Sequence, residues 1–483
     1  MRLHRIRSAG WVALCAGIHV SSPGGALRAQ AAGPSVLDPN LAVRTVVTGL
    51  NQPTTMAFLS ADDILVLEKA SGRVVRVVHG VIQGPVLDLA VNSASERGLL
   101  GIALHPDFPA NPGVYLYWTE SSTGADDGAL ANVELLGNRV DRYLWNGSTL
   151  AFDRNLIRLH AFQADAGQPL RGNHNGGVVK FGPDGKLYVV IGDNGRRGWM
   201  QNLADGPFGP GQTDDQFGGP EPDNAHLTGV VLRLNQDGTT PTDNPLFAAG
   251  AEMSGEVGAN VQRIFAYGLR NTFGMDFDPL SGDLWVEENG DDSFTELNRV
   301  EPGQNGGWVQ IMGPVSRLAE YKAIETSPQF FGLQQIRWPP TNIADTPEDA
   351  LARLVMLPGA HYSDPEFSWK FEVAPAAIGF LKSRALGPQY ENDLFMGGAR
   401  TTLEGGHLFH FNLAGSRRKI GVDDPRLEDR VADNLGKFEI TESETLLFGR
   451  NFGIATDIQT GPNGTLFVVS LSNGAIYEIF RQR

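Results

Sequence analysis

One phrase recurs along this 483-residue chain and limits what it can fold into: a turn rich in Pro, Asp, Asn or Gly, followed by a short apolar strand. It reads FLSADDILVLEK from Phe58, LHPDFPANPGVYLYWTE from Leu104, FGPDGKLYVVIGD from Phe181, FDPLSGDLWVEEN from Phe277, GPQYENDLFMGG from Gly387 and TGPNGTLFVVSL from Thr460. In each copy Asp, Asn and Gly supply turn conformations that other residues resist, and the following residues alternate or run apolar as half-buried or buried strands do. The copies are about 50 to about 110 residues apart, so insertions separate some of them. Second strands follow Gly-containing turns in GRVVRVV from Gly72, GHLFHFNL from Gly406 and GAIYEIF from Gly474. Hairpin after hairpin predicts four-stranded blades. No stretch holds a 3.6-residue apolar period long enough to build a parallel α/β sheet, and helical candidates such as Thr346 to Leu354 are short. The expected fold is therefore all-β, a six-bladed β-propeller with loop insertions, which protects its sheet edges by radial closure. Separate β-sandwiches would use similar turn signals, but the copies continue along the chain with no evident linker.

The N-terminus carries Arg2, Arg5 and Arg7, then a short apolar run from Ala9 to Val20, then the small-x-small pattern Ala29, Gln30, Ala31. This is the form of a secretory signal peptide over residues 1–31, and it predicts a periplasmic or secreted protein. The apolar run is shorter than the roughly 20 residues of a membrane-spanning helix, so no membrane span is expected. Residues 32–483 are expected to form a single propeller, with a loop insertion at about 313–375 that lacks the phrase and clusters Trp338, Pro339 and Pro340. Cleavage would remove Arg2, Arg5, Arg7 and Arg28 and no acid, taking the net charge from −16 to −20, and would remove the only cysteine, Cys15. Any metal must then be held by oxygen or imidazole ligands. The acidic balance offers no sequence-wide basic footprint, so nucleic acid is not an expected partner.

Three clusters have side chains suited to chemistry. In GNHNGGVVKFGPDGKLYVVIGDNGRR, from Gly172, His174 precedes a strand and Asp193 ends the next one. A hairpin between them lets the two meet, and a His oriented by a carboxylate is a good general base, though a loop His with no role has the same local sequence. In the segment from Ala266, Arg270 and Asn271 precede a copy of the phrase that runs into Glu287, Glu288, Asn289, Gly290, Asp291, Asp292 and Glu296. Many hard oxygen ligands around a Gly turn suit Ca²⁺; a solvated acidic loop is the alternative. In SERGLLGIALHPDF, from Ser95, Glu96 is placed to project a carboxylate into a central cleft, while His105 belongs to a turn. The chain has no HExxH motif, and no Walker motif, Rossmann fingerprint or GxSxG elbow in convincing context.

Taken in order, LNQPTTMAF, ASGRVVRV, ERGLLGIALHPDF, HNGGVVKFGPDGKLYVVIGD, YGLRNTFGMDFDP and ENGDDSFTELNRVEPGQNGGW resemble the glucose/sorbosone dehydrogenase family, soluble aldose dehydrogenases that use pyrroloquinoline quinone (PQQ). The resemblance runs from about Leu50 to Trp308 and more loosely beyond. It implies a six-bladed propeller that oxidises an aldose at C1 to a lactone with PQQ and Ca²⁺ and passes electrons to an external acceptor. It also implies roles: His174 as base, Asp193 as its support, and Arg270, with Asn271 beside it, at the quinone carbonyls. Gly290 and Asp291 fall at the backbone carbonyls that hold Ca²⁺, with Glu296 nearby. Arg400 falls at a basic cofactor contact, and Glu96 and Asn173 at polar positions lining the cofactor pocket. The likeness breaks near the C-terminus, where the family has two arginines, one residue apart, that pair with PQQ carboxylates. Here Ile454 and Thr456 stand at those places, before Asp457, and Arg450 lies four residues earlier. Each lost charge-assisted contact is worth about 1.5–3 kcal/mol. A Ca²⁺-dependent propeller lactonase, or a non-catalytic propeller that binds carbohydrate or protein, therefore stays open beside the dehydrogenase.

Overall fold

The computed structural model describes residues 33–162, 172–195, 202, 227–327 and 343–482; the signal segment and the Trp338, Pro339, Pro340 cluster lie outside them. The described residues from Pro34 onward belong to one compact unit. Their strands form six sheets of four to six strands and one two-stranded ribbon. The first strands of the six sheets are Pro53–Ser60, Leu99–Leu104, Val179–Phe181, Met275–Phe277, Pro375–Phe380 and Ala455–Thr460. Each contacts the next, and the last contacts the first, so they close a cycle around an axis. The arrangement is an all-β propeller.

The recurrent phrase builds the same part of every sheet. Its apolar run is the second strand: Asp63–Glu68, Gly113–Thr119, Leu187–Ile191, Leu284–Glu288, Leu394–Gly398 and Leu466–Ser470. Each pairs antiparallel with the first strand of its sheet. These strands are sandwiched between neighbouring sheets, which is why they read as apolar runs more than as alternations. Tyr115, Tyr117, Val189 and Leu232 fill one such interface and Trp285, Phe367, Trp369 and Phe409 another. Each large side chain buried this way contributes about 1.5–3 kcal/mol.

The sheet that closes the cycle takes strands from both ends of the chain. Leu41–Thr48 pairs antiparallel with Ala475–Arg481, Leu41 opposite Arg481 and Thr48 opposite Ala475. Ahead of it, Ser35–Val36 pairs with Leu447–Arg450 in the adjacent sheet.

The stretch 313–375 is not all loop, as expected from sequence. It holds the helices Leu318–Glu325 and Pro347–Arg353, and Phe367–Trp369 is a strand paired with Thr295–Val300. Leu318, Tyr321 and Ile324 recur at helical spacing and bury one face, and Thr346 caps the second helix by accepting from Asp349 N at 3.2 Å. That helix falls where the sequence placed a short candidate.

A buried histidine sets part of the acid sensitivity of the fold. His407 is fully buried beside Phe409, and a Cβ on Gly398 would fall 2.1 Å from its ring, so only glycine fits there. Burial pulls its imidazole from 6.5 down to about 3. The folded state keeps the ring neutral while the unfolded chain takes up a proton near pH 6.5. The stabilisation is therefore complete above that pH and is lost as the pH falls from 6.5 towards 3. At pH 5 the loss is expected to be about 2 kcal/mol. Urea unfolding of wild type and His407→Leu across pH 5–7.5 measures it, and parallel pH profiles would contradict it.

Candidate active site

His174 and Asp193 meet because a hairpin brings them together. Val179–Phe181 and Leu187–Ile191 pair with Val179 opposite Val189, and Gly177 N donates to Val190 O at 3.0 Å, so the residues flanking the hairpin lie side by side. His174 Nδ1 lies 2.5 Å from Asp193 Oδ1, both groups buried. Asp193 is fixed in turn: Oδ1 accepts from Gly195 N at 2.8 Å and Oδ2 from Trp308 Nε1 at 3.0 Å. With Nδ1 held by a carboxylate, Nε2 is the ring nitrogen offered to a substrate proton. His174 itself sits at φ +58°, and its backbone N–H donates to the Glu96 carboxylate. The next residue, Asn175, anchors the loop by donating to Gly172 O at 2.8 Å and accepting from Asn138 Nδ2 at 2.8 Å.

Arg270 lies on the other side of Asp193, whose N–H donates to Arg270 O at 2.9 Å. Its guanidinium reaches Asn289 O at 2.9 Å, Gly290 O at 2.7 Å and Asp291 Oδ1 at 3.1 Å, and it stacks over the Trp308 ring at 5.4 Å. Burial opposes its charge, but Asp291, Asp193, Glu325 and Glu372 outweigh burial and raise its pKa above the usual value. Beside it, carboxylate oxygens of Asp291, Asp292 and Glu325 lie within 4.8 Å of one another, Glu325 being supplied by the helix Leu318–Glu325. Burial, then the Asp291 charge, push the Glu325 carboxyl up to about 8. Lys437 Nζ closes the cluster, 2.7 Å from Asp292 Oδ1.

Residues 50–330 match the family described as glucose/sorbosone dehydrogenase. That is more than half of the chain. The protein belongs to the glucose/sorbosone dehydrogenase family. The chain is 32% identical over 281 residues to quinoprotein glucose dehydrogenase B of Acinetobacter calcoaceticus, covering 57% of this chain and 53% of that protein. It thus spans about half the length of that relative. In fold it is similar to the soluble aldose sugar dehydrogenase of Escherichia coli in its apo-form, with TM-score 0.61, 23% identity, and 92% and 100% of the two chains covered. It is also similar to the PQQ-bound form of aldose sugar dehydrogenase from Streptomyces coelicolor, with TM-score 0.55, 23% identity, and 92% and 98% covered.

Within this member of the glucose/sorbosone dehydrogenase family, some residues marked from sequence gather at the site and others do not. Glu96 lines the axial cavity and also holds the backbone of His174. Asn173 packs its side chain against Gly195, and Asn271 lies beside Arg270 with its buried Oδ1 unpartnered. Gly290 and Asp291 face Arg270. Glu296, expected near the cation seat, accepts from Gly313 N and from Asn298 Nδ2 at 2.8 Å and lies opposite Glu288 in the strand pairing, while the carboxylate that joins Asp291 and Asp292 is Glu325. Arg400 is exposed with its guanidinium 4.7 Å above Phe438. Ile454 and Thr456 line the axial cavity, and Arg450 does not take their place, since its Nε pairs with Glu404 at 2.7 Å. Trp308 and Asn175 are not marked by the sequence; Trp308 reaches Asp193 through the strands of one sheet, and Asn175 is joined to Asn138 in the neighbouring sheet.

Gly172 shows how tightly the loop that carries His174 is seated. A Cβ there would fall 1.7 Å from Arg97 Nη2. That buried guanidinium donates to Ala161 O at 3.0 Å and Leu130 O at 3.1 Å. Gly172→Ala is expected to displace it and strand those acceptors, costing about 2–4 kcal/mol. Denaturant unfolding would show this as a lower midpoint; an unchanged midpoint would mean the loop yields freely.

Proposed function

We propose that this chain oxidises an aldose sugar at C1 to the lactone, with PQQ and Ca²⁺ as cofactors and an external electron acceptor. The observation that carries it is His174 braced by Asp193, with Arg270 joined to the same carboxylate through Trp308. The residues at this end suit a planar polar cofactor. Arg270 Nε, Asn271 Oδ1 and Thr272 Oγ1 are buried without hydrogen-bond partners, which a ligand bearing carbonyl and ring N–H groups would satisfy. Bound PQQ would supply the two-electron acceptor for the C1 hydrogen, and Ca²⁺ would supply Lewis-acid polarisation. Asn271 and Arg270 would hold the quinone, and the Gly290–Asp291 turn, with its neighbouring carboxylates, would seat the cation.

The chain's own part is acid–base and electrostatic. His174 Nε2 takes the proton of the C1 hydroxyl as the C1–H bond breaks and the C=O bond forms, and Asp193 stabilises the resulting imidazolium. Arg270 fixes positive charge where negative charge accumulates and needs no rearrangement to do so. We count each of the six larger sheets as one blade, and we read residues 1–31 as an export signal to the periplasm or beyond. N-terminal sequencing of the exported protein tests that signal.

Ile454 and Thr456 in the axial cavity favour the competing reading, a Ca²⁺-dependent lactonase, or a propeller that only binds. One experiment separates them. The purified protein is incubated with PQQ and Ca²⁺ and assayed for dye reduction with a panel of aldoses, and for lactone hydrolysis without dye. Aldose-dependent dye reduction supports the proposal. Failure to bind PQQ at micromolar concentration, or hydrolysis alone, would overturn it.

A further inference from the structure

The cavity on the ring axis, about 250 Å³, has an aliphatic wall that includes Leu100, Ile102, Val178, Ile378 and Ile454. A polycarboxylate such as PQQ needs a cation there, and among the described residues two lysines line it, Lys69 and Lys180. Lys180 already faces an acid, with Nζ 3.5 Å from Asp276 Oδ1. Lys69 does not. Its Nζ donates to two backbone carbonyls, Ser93 O at 3.1 Å and Ser95 O at 3.0 Å, which leaves one of its three N–H groups to face the cavity. Burial pulls its pKa down to about 8, and the charge that opposes this is Glu96. Glu96 itself is committed to the backbone N–H of His174. The ammonium therefore lies in a poorly solvated wall with no carboxylate bonded to it among the described residues, which is the condition in which an incoming anion gains most.

We infer that Lys69 binds a carboxylate of the cofactor, taking over the role left open by Ile454 and Thr456, and that Glu96 links this contact to the catalytic base. The inference rests on the PQQ reading above. Lys69 supplies the charge from the sheet of residues 53–88, whereas Ile454 and Thr456 belong to the neighbouring wall, where Thr456 Oγ1 donates to Pro53 O at 3.2 Å.

The test is an equilibrium titration of the full chain with PQQ in saturating Ca²⁺, followed by quenching of tryptophan fluorescence, on wild type, Lys69→Met and Lys69→Arg. Lys69→Met is expected to weaken PQQ binding by about 10- to 100-fold, and Lys69→Arg to restore most of it. Adding Ile454→Arg to Lys69→Met is expected to recover affinity as well, by returning a cation to the same cavity. Should Lys69→Met fail to fold, Lys69→Gln carries the same comparison. Equal PQQ affinity in wild type and the neutral variant would overturn this inference and leave the dehydrogenase reading standing. Absence of PQQ binding in wild type would overturn both.

Discussion

His174→Asn is expected to lower kcat by about 10²–10⁴-fold while PQQ still binds, because the variant loses proton transfer and little else. Asparagine is the better choice over alanine for a physical reason. The residue sits at φ +58°, a left-handed conformation that Asn tolerates well, so the loop should keep its path and the Glu96 contact to the backbone N–H should survive. Steady-state dye reduction measures kcat, and a fluorescence titration with PQQ reports cofactor binding in the same preparation. Turnover within about threefold of wild type would remove His174 from the chemistry and assign the proton transfer to another group.

The second large effect is expected at Arg270. Its guanidinium joins two carbonyls and a carboxylate inside the protein, Asn289 O, Gly290 O and Asp291 Oδ1. Arg270→Leu leaves these acceptors without the guanidinium that joins them, with Glu325 and Asp292 close by and Lys437 as the remaining cation of the cluster. The expected loss is about 3–5 kcal/mol of folding stability. A lysine cannot repair it fully, because one ammonium cannot span three acceptors with the geometry of a planar fork. Guanidinium chloride unfolding tests both variants, and a loss below about 1 kcal/mol for Arg270→Leu would show that the Asp291 turn is held by other contacts. Ca²⁺ added to Arg270→Leu should recover part of the loss if the turn seats a cation, since a ligand bound only by the folded state stabilises it.

The fold was legible because one local unit, a polar turn and an apolar strand, had to be repeated in every sheet, and its register with the first strand needs no distant information. The His174–Asp193 pair was legible for the same reason, since both ends of a single hairpin are local in sequence. What sequence could not place were contacts between residues far apart in the chain. Trp308 reaches Asp193 from 115 residues away, within one sheet. Glu325 joins Asp291 and Asp292 from a helix in a segment expected to be loop. Glu296 is close to Asp291 in sequence and lies opposite Glu288 in the strand pairing, but the third carboxylate gathered with Asp291 and Asp292 is Glu325. Lys69 lay inside a quoted copy of the phrase, where it read as the polar end of a strand; only the cavity shows which way its ammonium faces.

The pairing of Leu41–Thr48 with Ala475–Arg481 also governs when this protein can finish folding. A ribosome delivers the N-terminal segment first, so the strand at 41–48 is made long before its neighbour at 475–481. Until that neighbour emerges, one edge of the early strand stays open, and long-range closure of this kind is intrinsically slow. A nascent chain halted a few residues short would carry His174, Asp193 and Arg270 complete and still lack the strand that lets the ring shut around them.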